Sequence, residues 1–357
     1  MAKPAALVAR NLHKSFPSGF ALSVDELTLA QGGLYSFVGP NGTGKTVLFE
    51  ALSLLSPADQ GTVELLGERI FPGRSGWHLA RRRIAMVLEE PYPFRGTVAE
   101  NVAYGLRARG VRARERERRV DRALALLGLS ALAGTDSQRL SGGEVQRLAI
   151  AQALVLETDV LLLDEPTAHV DAHYVGAIER LLGELRRSGA ATVLLATHDL
   201  EQAYRLSDEI FVLVEGTVQK HAPENCFLGS VAEVDGQAWF ESRSGLRFQV
   251  PPGRVGGARV VVDPASILIS RESVRSSGRN RLVGTVQAVE GEGPTVQLHL
   301  SVDGAQLAAR VTRESVPELT LAQGAQVYLT FRATGVRVYE HPASAVGHGR
   351  GEAQGAT

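Results

Sequence analysis

Two rhythms of apolar and polar residues divide the chain. Up to about residue 218, short apolar runs alternate with longer stretches at helical spacing. The runs are Leu34–Val38, Ile84–Leu88, Val160–Leu163 and Thr192–Ala196. Strands alternating with helices predict a parallel sheet of α/β type. Beyond about residue 228 the helical period disappears, and short alternating segments such as "LRFQVP", "ARVVVDP", "TVQLHLSV" and "QVYLTF" take over. Turn residues separate them, which predicts a small all-β barrel or sandwich. The stretch "KHAPENCFLGS" is the expected linker, and the small, Gly-rich residues 341–357 are expected to be a disordered tail. The expected division is therefore 5–222, 228–340 and the tail 341–357. One charge run, "RARGVRARERERRVDRALALLGL", carries Val120, Ala123, Leu124 and Leu127 at helical spacing. One face of that helix should pack while the other carries solvated mixed charge.

Composition narrows the classes. A length of 357 residues favours two domains, and the 44% apolar fraction suffices for packed cores. No apolar run approaches the roughly 20 residues of a membrane span. The N-terminus has no signal-peptide stretch, which predicts a cytoplasmic chain. A single cysteine, Cys226, excludes an internal disulfide framework and a Cys-based zinc site. Net charge of −1 gives no electrostatic case for nucleic acid as a partner. Lysine occurs only at Lys3, Lys14, Lys45 and Lys220, so Lys45 stands out.

Lys45 lies in "GPNGTGKT", comprising Gly39, Pro40, Asn41, Gly42, Thr43, Gly44, Lys45 and Thr46. The segment fits G-x-x-x-x-G-K-[ST] between the strand "LYSFV" and the helical "TVLFEALSLL", the setting of a phosphate-binding loop. Its glycines let backbone N–H groups close on phosphate oxygens at a helix N-terminus. Lys45 is placed to reach the terminal phosphates and Thr46 to offer a hydroxyl to magnesium. A second run, "VLLLDEPT", is a buried strand delivering Asp164 and Glu165 at its C-terminal end. Asp164 is placed to hold magnesium through water, and Glu165 to act as general base on an attacking water. In "LSGGEVQR", Ser141, Gly142 and Gly143 open a helix whose N-terminus can bind an anion. A second donor cluster beside a complete phosphate loop suggests a nucleotide shared between two chains. "LLATHD" places His198 at the end of another apolar strand.

In this order the motifs resemble the ATP-binding-cassette ATPases, over nearly all of residues 5–220. The resemblance implies a P-loop NTPase cassette with a helical subdomain, followed by a small all-β, OB-like barrel. It implies ATP and Mg2+ as cofactors, with Phe16 stacking on adenine and His198 contacting the γ-phosphate. Asp171, in "AHVD", would link two sites. Two copies would pack head to tail, with each ATP between the loop of one and Ser141, Gly142 and Gly143 of the other. Closure on ATP and reopening after hydrolysis would drive a membrane partner. Glu89 stands where that family usually has a glutamine whose side chain reaches magnesium and the attacking water. A glutamate keeps the oxygen and the length, adds a charge, and can still ligate magnesium. Its neighbour Glu90 is expected to be a solvated loop residue.

From residue 276 the chain resembles the oxyanion-binding β-domain of molybdate and tungstate importer ATPases. Ser277, Arg279 and Asn280, then Thr312 and Ser315, match that pattern, while Arg332 replaces a lysine and Gly278 an alanine. A tetrahedral dianion calls for hydroxyl or amide donors and one or two cations, and a guanidinium offers a fork in place of a point charge. The resemblance implies an ATPase peripheral on the cytoplasmic membrane face, working with permease subunits and an extracytoplasmic solute-binding protein. Its oxyanion, molybdate or tungstate, would also be sensed by the β-domain. The alternatives are an importer of sulfate, sugar, polyamine or ferric ion, or, from another class, a non-transport cassette protein acting on nucleic acid or ribosomes.

Overall fold

The apolar runs become the buried centre of one ten-stranded sheet. The computed structural model describes residues 3–71, 77–221, 224–291 and 293–340, so the expected tail lies outside the described residues. The chain divides into two units, Met1–His221 and Ala222–Thr357. Among the described residues no helix is long and apolar enough to cross a membrane.

The strands of the first unit are β1 (Ala5–Ser15), β2 (Ala21–Ala30), β3 (Leu34–Val38), β4 (Gln60–Leu65), β5 (Glu68–Ile70), β6 (Ile84–Val87), β7 (Val160–Asp164), β8 (Thr192–Thr197), β9 (Glu209–Val214) and β10 (Thr217–His221). Its helices are α1 (Lys45–Leu52), α2 (Trp77–Arg81), α3 (Val98–Ala108), α4 (Ala113–Leu126), α5 (Gly142–Leu154), α6 (Ala172–Ser188) and α7 (Leu200–Leu206). The sheet order is β5-β4-β1-β2-β10-β9-β3-β8-β7-β6. The segment β9-β3-β8-β7-β6 is parallel, and β1, β2, β4 and β5 form an antiparallel flank.

Parallel strands are covered on both faces, which is why they read as unbroken apolar runs. Leu161, Leu163, Val193 and Leu195 pack into the core that includes residues of α3, α4, α5 and α6. The alternate residues Val160, Leu162, Leu194 and Ala196 pack with Leu48 and Phe49 of α1 and with the antiparallel flank. Phe37 joins that second core, stacked on Phe211 at 5.1 Å and edge-on to Phe49 at 5.5 Å. The charge-run helix is α4. It buries Val120, Ala123 and Leu124, with Leu127 just beyond, while Arg118 and Arg119 pair with Glu115. α1 starts abruptly because Gly44, at φ 99°, turns the chain in the left-handed region. A Cβ there would also lie 2.6 Å from the Phe20 ring.

The second unit is all-β, as its period-two pattern predicts. Its strands are β11 (Cys226–Val234), β12 (Gln237–Ser242), β13 (Arg247–Gln249), β14 (Gly256–Val262), β15 (Leu268–Ser270), β16 (Asn280–Glu290), β17 (Thr295–Val302), β18 (Ala305–Thr312), β19 (Gln326–Phe331) and β20 (Val336–Glu340), with one turn of helix, α8 (Ser315–Glu318). They form two five-stranded sheets, β13-β12-β11-β14-β20 and β15-β19-β16-β17-β18. Phe240, Phe248, Val260, Leu298, Leu329 and Phe331 belong to their common core. Most of the expected linker is strand: Lys220 and His221 end β10, and Cys226 opens β11 opposite Val261. Two buried asparagines stitch edge strands. The Asn225 amide donates to Ala308 O (2.7 Å) and accepts from Ala308 N (2.6 Å). The Asn280 amide does the same for Gln249, at 2.9 and 2.7 Å. Each side chain takes the place of a neighbouring strand at one residue of a sheet edge.

Candidate active site

Register brings the chemistry together. Val38 pairs with Thr197, Ala196 with Asp164, and Leu163 with Val87. The residues that follow β3, β8, β7 and β6 therefore emerge in one row along the C-terminal edge, where such sheets hold ligands. That row carries Gly39, His198, Glu165 and Glu89.

The loop from Gly39 to Thr46 closes over the start of α1. Lys45 is buried, and its Nζ donates to Gly39 O (2.7 Å) and Pro40 O (3.2 Å) and lies 3.6 Å from Glu165 Oε1. Thr46 Oγ1 donates to Asp164 Oδ2 at 2.6 Å. Asp164 is only 1% exposed. Burial pushes its carboxyl up to about 6; the bond from Thr46 and the Lys45 charge oppose the rise, and the Glu89 and Glu165 charges add to it. Asp164 Oδ1 is buried without a hydrogen bond. A buried carboxylate oxygen without a donor, beside a threonine hydroxyl, suits a hard cation such as magnesium, which takes oxygen ligands.

Glu165 follows β7 with φ 44°, in the left-handed region, and its N–H donates to Ala196 O at 3.0 Å. A non-glycine residue held there costs about 1–3 kcal/mol, strain that collects at functional sites. Its Oε2 meets Nδ1 of the largely exposed His198 at 3.0 Å. Lys45, Glu165 and His198 thus form a continuous line.

A cavity of about 400 Å³ opens over the loop, lined by Phe16, Lys45, Thr46, Asp164 and Glu89 among others. Phe16 is half-buried at its wall, with its ring 5.9 Å from that of Phe20. Asn41, Gly42 and Gly44 also line it. Thr43 instead bonds back to Pro40 O at 2.9 Å, tightening the turn. Glu90 is exposed and is not part of this wall.

Ser141, Gly142, Gly143 and Asp171 do not line this cavity. Ser141 and Glu144 make a capping box at the start of α5, in which Glu144 accepts from both N and Oγ of Ser141. Those bonds hold the Glu144 carboxyl below its ordinary range. Gly143 is packed so closely that a Cβ would lie 2.7 Å from His169 O, so the α5 N-terminus and the loop before Asp171 abut. Asp171 is exposed at the N-cap of α6 and makes no capping bond.

Sequence reasoning missed three residues of this neighbourhood. Phe20 backs Gly44 and shares the cavity wall with Phe16; the signal was the pair of aromatics bracketing the "FPSGF" turn. Buried Gln202 donates to Thr167 Oγ1 (3.1 Å) and Glu179 Oε1 (3.2 Å) behind the Asp164–Glu165 strand. Arg147, inside "LSGGEVQR", donates to Leu127 O at 2.7 Å and sits 3.7 Å over the Tyr174 ring, tying α5 to α6.

In the second unit the six anion-site candidates do not come together. Arg332 Nε donates to Ser277 Oγ at 3.1 Å, and these two with Arg279 line a cavity of about 340 Å³. Asn280 is spent on Gln249, its amide having both main-chain atoms as partners. Thr312 and Ser315 bond each other at 2.8 Å, beyond the far end of β16 from Asn280. Eleven residues of β16 span roughly 35 Å. Within one chain the six candidates therefore fall into two separate groups, with Asn280 hydrogen-bonded to the main chain of Gln249.

The ABC transporter family model matches residues 22–168, and the TOBE domain model matches residues 276–338. The molybdate/tungstate import ATP-binding protein WtpC of Pyrococcus abyssi is 32% identical over 320 residues, covering 85% of this chain and 92% of that protein. The molybdenum import ATP-binding protein ModC of Mycobacterium tuberculosis (H37Rv) is 32% identical over 352 residues, covering 89% and 94%. Among solved structures, cbiO1 from Clostridium perfringens, part of the ABC transporter complex cbiONQ, matches with a TM-score of 0.55 at 30% identity, over 61% of this chain and 88% of that one.

Proposed function

The chain belongs to the ATP-binding subunits of ABC transporters, and from that premise we propose that it hydrolyses ATP to drive uptake of molybdate or tungstate through separate permease subunits. The observation that carries the hydrolytic reading is Glu165, held between Lys45 and His198 at the strand end beside the phosphate loop. The oxyanion reading is supported by two relatives that match along most of their length and are named for molybdenum-type import.

In this reading adenine lies against Phe16 and the phosphates lie in the loop. The oxygen of a water attacks the γ-phosphorus as the bond to the bridging oxygen breaks, and the water's proton passes to Glu165. His198 orients that carboxylate through Oε2, and Lys45 faces the charge that develops on the phosphates. Thr46 and Asp164, with Glu89, are the residues to hold magnesium, which when bound neutralises charge on the β- and γ-phosphate oxygens. Ser141, Gly142 and Gly143 are not among the lining residues of their own chain's loop cavity, which supports their serving the nucleotide of a second copy, with Asp171 close by. The chain is then peripheral on the cytoplasmic membrane face, and an extracytoplasmic solute-binding protein delivers the ion. Ser277, Arg279 and Arg332 supply the hydroxyl and guanidinium donors with which the second unit senses it.

The test is uptake of labelled molybdate, tungstate and sulfate by cells carrying the wild-type chain or Glu165→Gln. Removing the general base should lower phosphate release about 10²–10⁴-fold with ATP binding retained, and molybdate or tungstate uptake should fall with it. Loss of sulfate uptake alone would overturn the oxyanion assignment, and undiminished phosphate release would remove Glu165 as the base.

A further inference from the structure

Of the chain's four lysines only Lys45 and Lys14 are buried, and the phosphate loop accounts only for the first. Lys14 lies near the end of β1, two residues before Phe16. Its Nζ donates to Ser56 O (2.9 Å), Pro57 O (3.2 Å) and Ser56 Oγ, none of them a carboxylate oxygen. The same ammonium lies over the Phe16 ring, 5.7 Å from its centroid. Ser15, the residue between them, donates from N (2.9 Å) and Oγ (3.1 Å) to Asp59 Oδ2, and Asp59 N donates to His13 O at 2.8 Å. The three residues before Phe16 are thus gripped by the segment 56–59, which follows α1. On the other side of the turn, Phe20 packs against Gly44, where α1 begins. The tip of the β1–β2 hairpin therefore bears on both ends of the helix that carries the phosphate loop, whose eight residues span roughly 12 Å.

We propose that Lys14 and Asp59 are positioning residues for the base, holding the Phe16 ring at a fixed place relative to the phosphate loop. The proposal rests on the reading that adenine lies against Phe16. Stacking adds to affinity only if the ring already stands where the base falls once the phosphates are seated. Phe16 is half-buried in a turn closed by local bonds, from Phe16 N to Phe20 O and from Gly19 N to Phe16 O, which do not tie it to the loop. The bonds of Lys14 and Asp59 do. The task suits a lysine in a chain that mostly uses arginine, since three donors on a compact head meet three oxygens. With its N–H groups spent there, Lys14 acts through the ring and not on the nucleotide itself. Its charge over one face draws the ring's π electrons toward it and leaves the opposite face less electron-rich, a better surface for a base.

The experiment is calorimetric titration of the full-length chain with MgADP and with magnesium pyrophosphate, a pair that differs by the adenosine. Lys14→Met should weaken ADP binding about fivefold and leave pyrophosphate binding unchanged. Asp59→Ala, at an exposed carboxylate where burial is not at stake, should weaken ADP about threefold, again with pyrophosphate unchanged. Unchanged pyrophosphate binding shows that each variant is folded with its loop intact. Phe16→Ala should also weaken ADP alone, and adding Lys14→Met to it should cost nothing further, because Lys14 acts through that ring. ADP affinity equal to wild type in Lys14→Met and Asp59→Ala, with Phe16→Ala still weakened, would overturn the positioning role and leave the stacking reading standing. An unaffected Phe16→Ala would remove the stacking reading, and the proposal with it. Equal loss of ADP and pyrophosphate in Lys14→Met and Asp59→Ala would also overturn the proposal, since the hairpin would then support the loop and not the base.

Discussion

Asp164→Asn should make the metal-free, nucleotide-free first unit more stable above neutral pH. The Asp164 carboxyl titrates at about 6 against an ordinary value of 3.8, chiefly because it is buried. The folded state therefore binds the proton more tightly than the unfolded chain does. The advantage of the protonated form is complete below about 3.8 and is lost as pH rises through about 6. Above that window the folded protein holds an ionised, buried carboxylate, which costs about 3 kcal/mol relative to a neutral group of the same shape. Asparagine keeps the shape and carries no charge at any pH. For a unit of this size each kcal/mol moves the midpoint by about 2–4 °C, so the variant should melt about 6–12 °C above wild type at pH 8.

The assay is calorimetry of both proteins in EDTA at pH 4.5, 5.5, 6.5 and 8, reading the transition of the first unit. The two midpoints should converge at the acid end. Saturating Mg2+ at pH 8 should raise wild type and leave the variant nearly unmoved, since a cation supplies the charge compensation that Asp164 lacks. A difference that stays constant across the pH range would refute the reasoning, because a change of packing or of hydrogen bonding does not titrate.

Gly143→Ala places a Cβ 2.7 Å from His169 O and should cost the first unit about 1–3 kcal/mol, read by thermal melting. Gly142→Ala, one residue earlier with nothing within 4 Å, should be neutral or slightly stabilising by the same measurement. Asn280→Ala leaves the main-chain N and O of Gln249 without their partner and should destabilise the second unit by about 2–4 kcal/mol in urea unfolding. Ser277→Ala, three residues away and exposed, should stay within about 0.5 kcal/mol in the same experiment.

The contrast between Glu89 and Asn280 shows what a sequence carries and what it does not. Glu89 was legible because position along the chain fixes position in space at the end of a parallel strand. A continuous apolar run such as Ile84–Val87 must lie inside an α/β sheet, and its C-terminal end must open on the ligand edge. The same logic placed Asp164, Glu165 and His198, each one or two residues past a run, and no distant contact was needed to locate them. Asn280 had no such guide. Its partner Gln249 lies 31 residues away on the other sheet of its unit, and a polar side chain beside a turn looks the same whether it faces an anion or a strand edge. Alternation in β16 and β18 tells which face a residue takes, but not which end of the sheet it reaches. The pairing of Thr295 with Thr312 and of Asn280 with Phe331 therefore decided that Thr312 and Arg332 lie far apart. The boundary between the two units, at His221, falls inside the expected linker, but most of that stretch is strand, for a related reason. Its Pro, Asn and Gly resemble a turn, yet Gly229 sits in β11, where a Cβ would lie 2.0 Å from Glu241 O, so close strand pairing is what requires the glycine. Chemistry delivered by local geometry can be read residue by residue, whereas a site assembled from antiparallel registers becomes legible only once those registers are known.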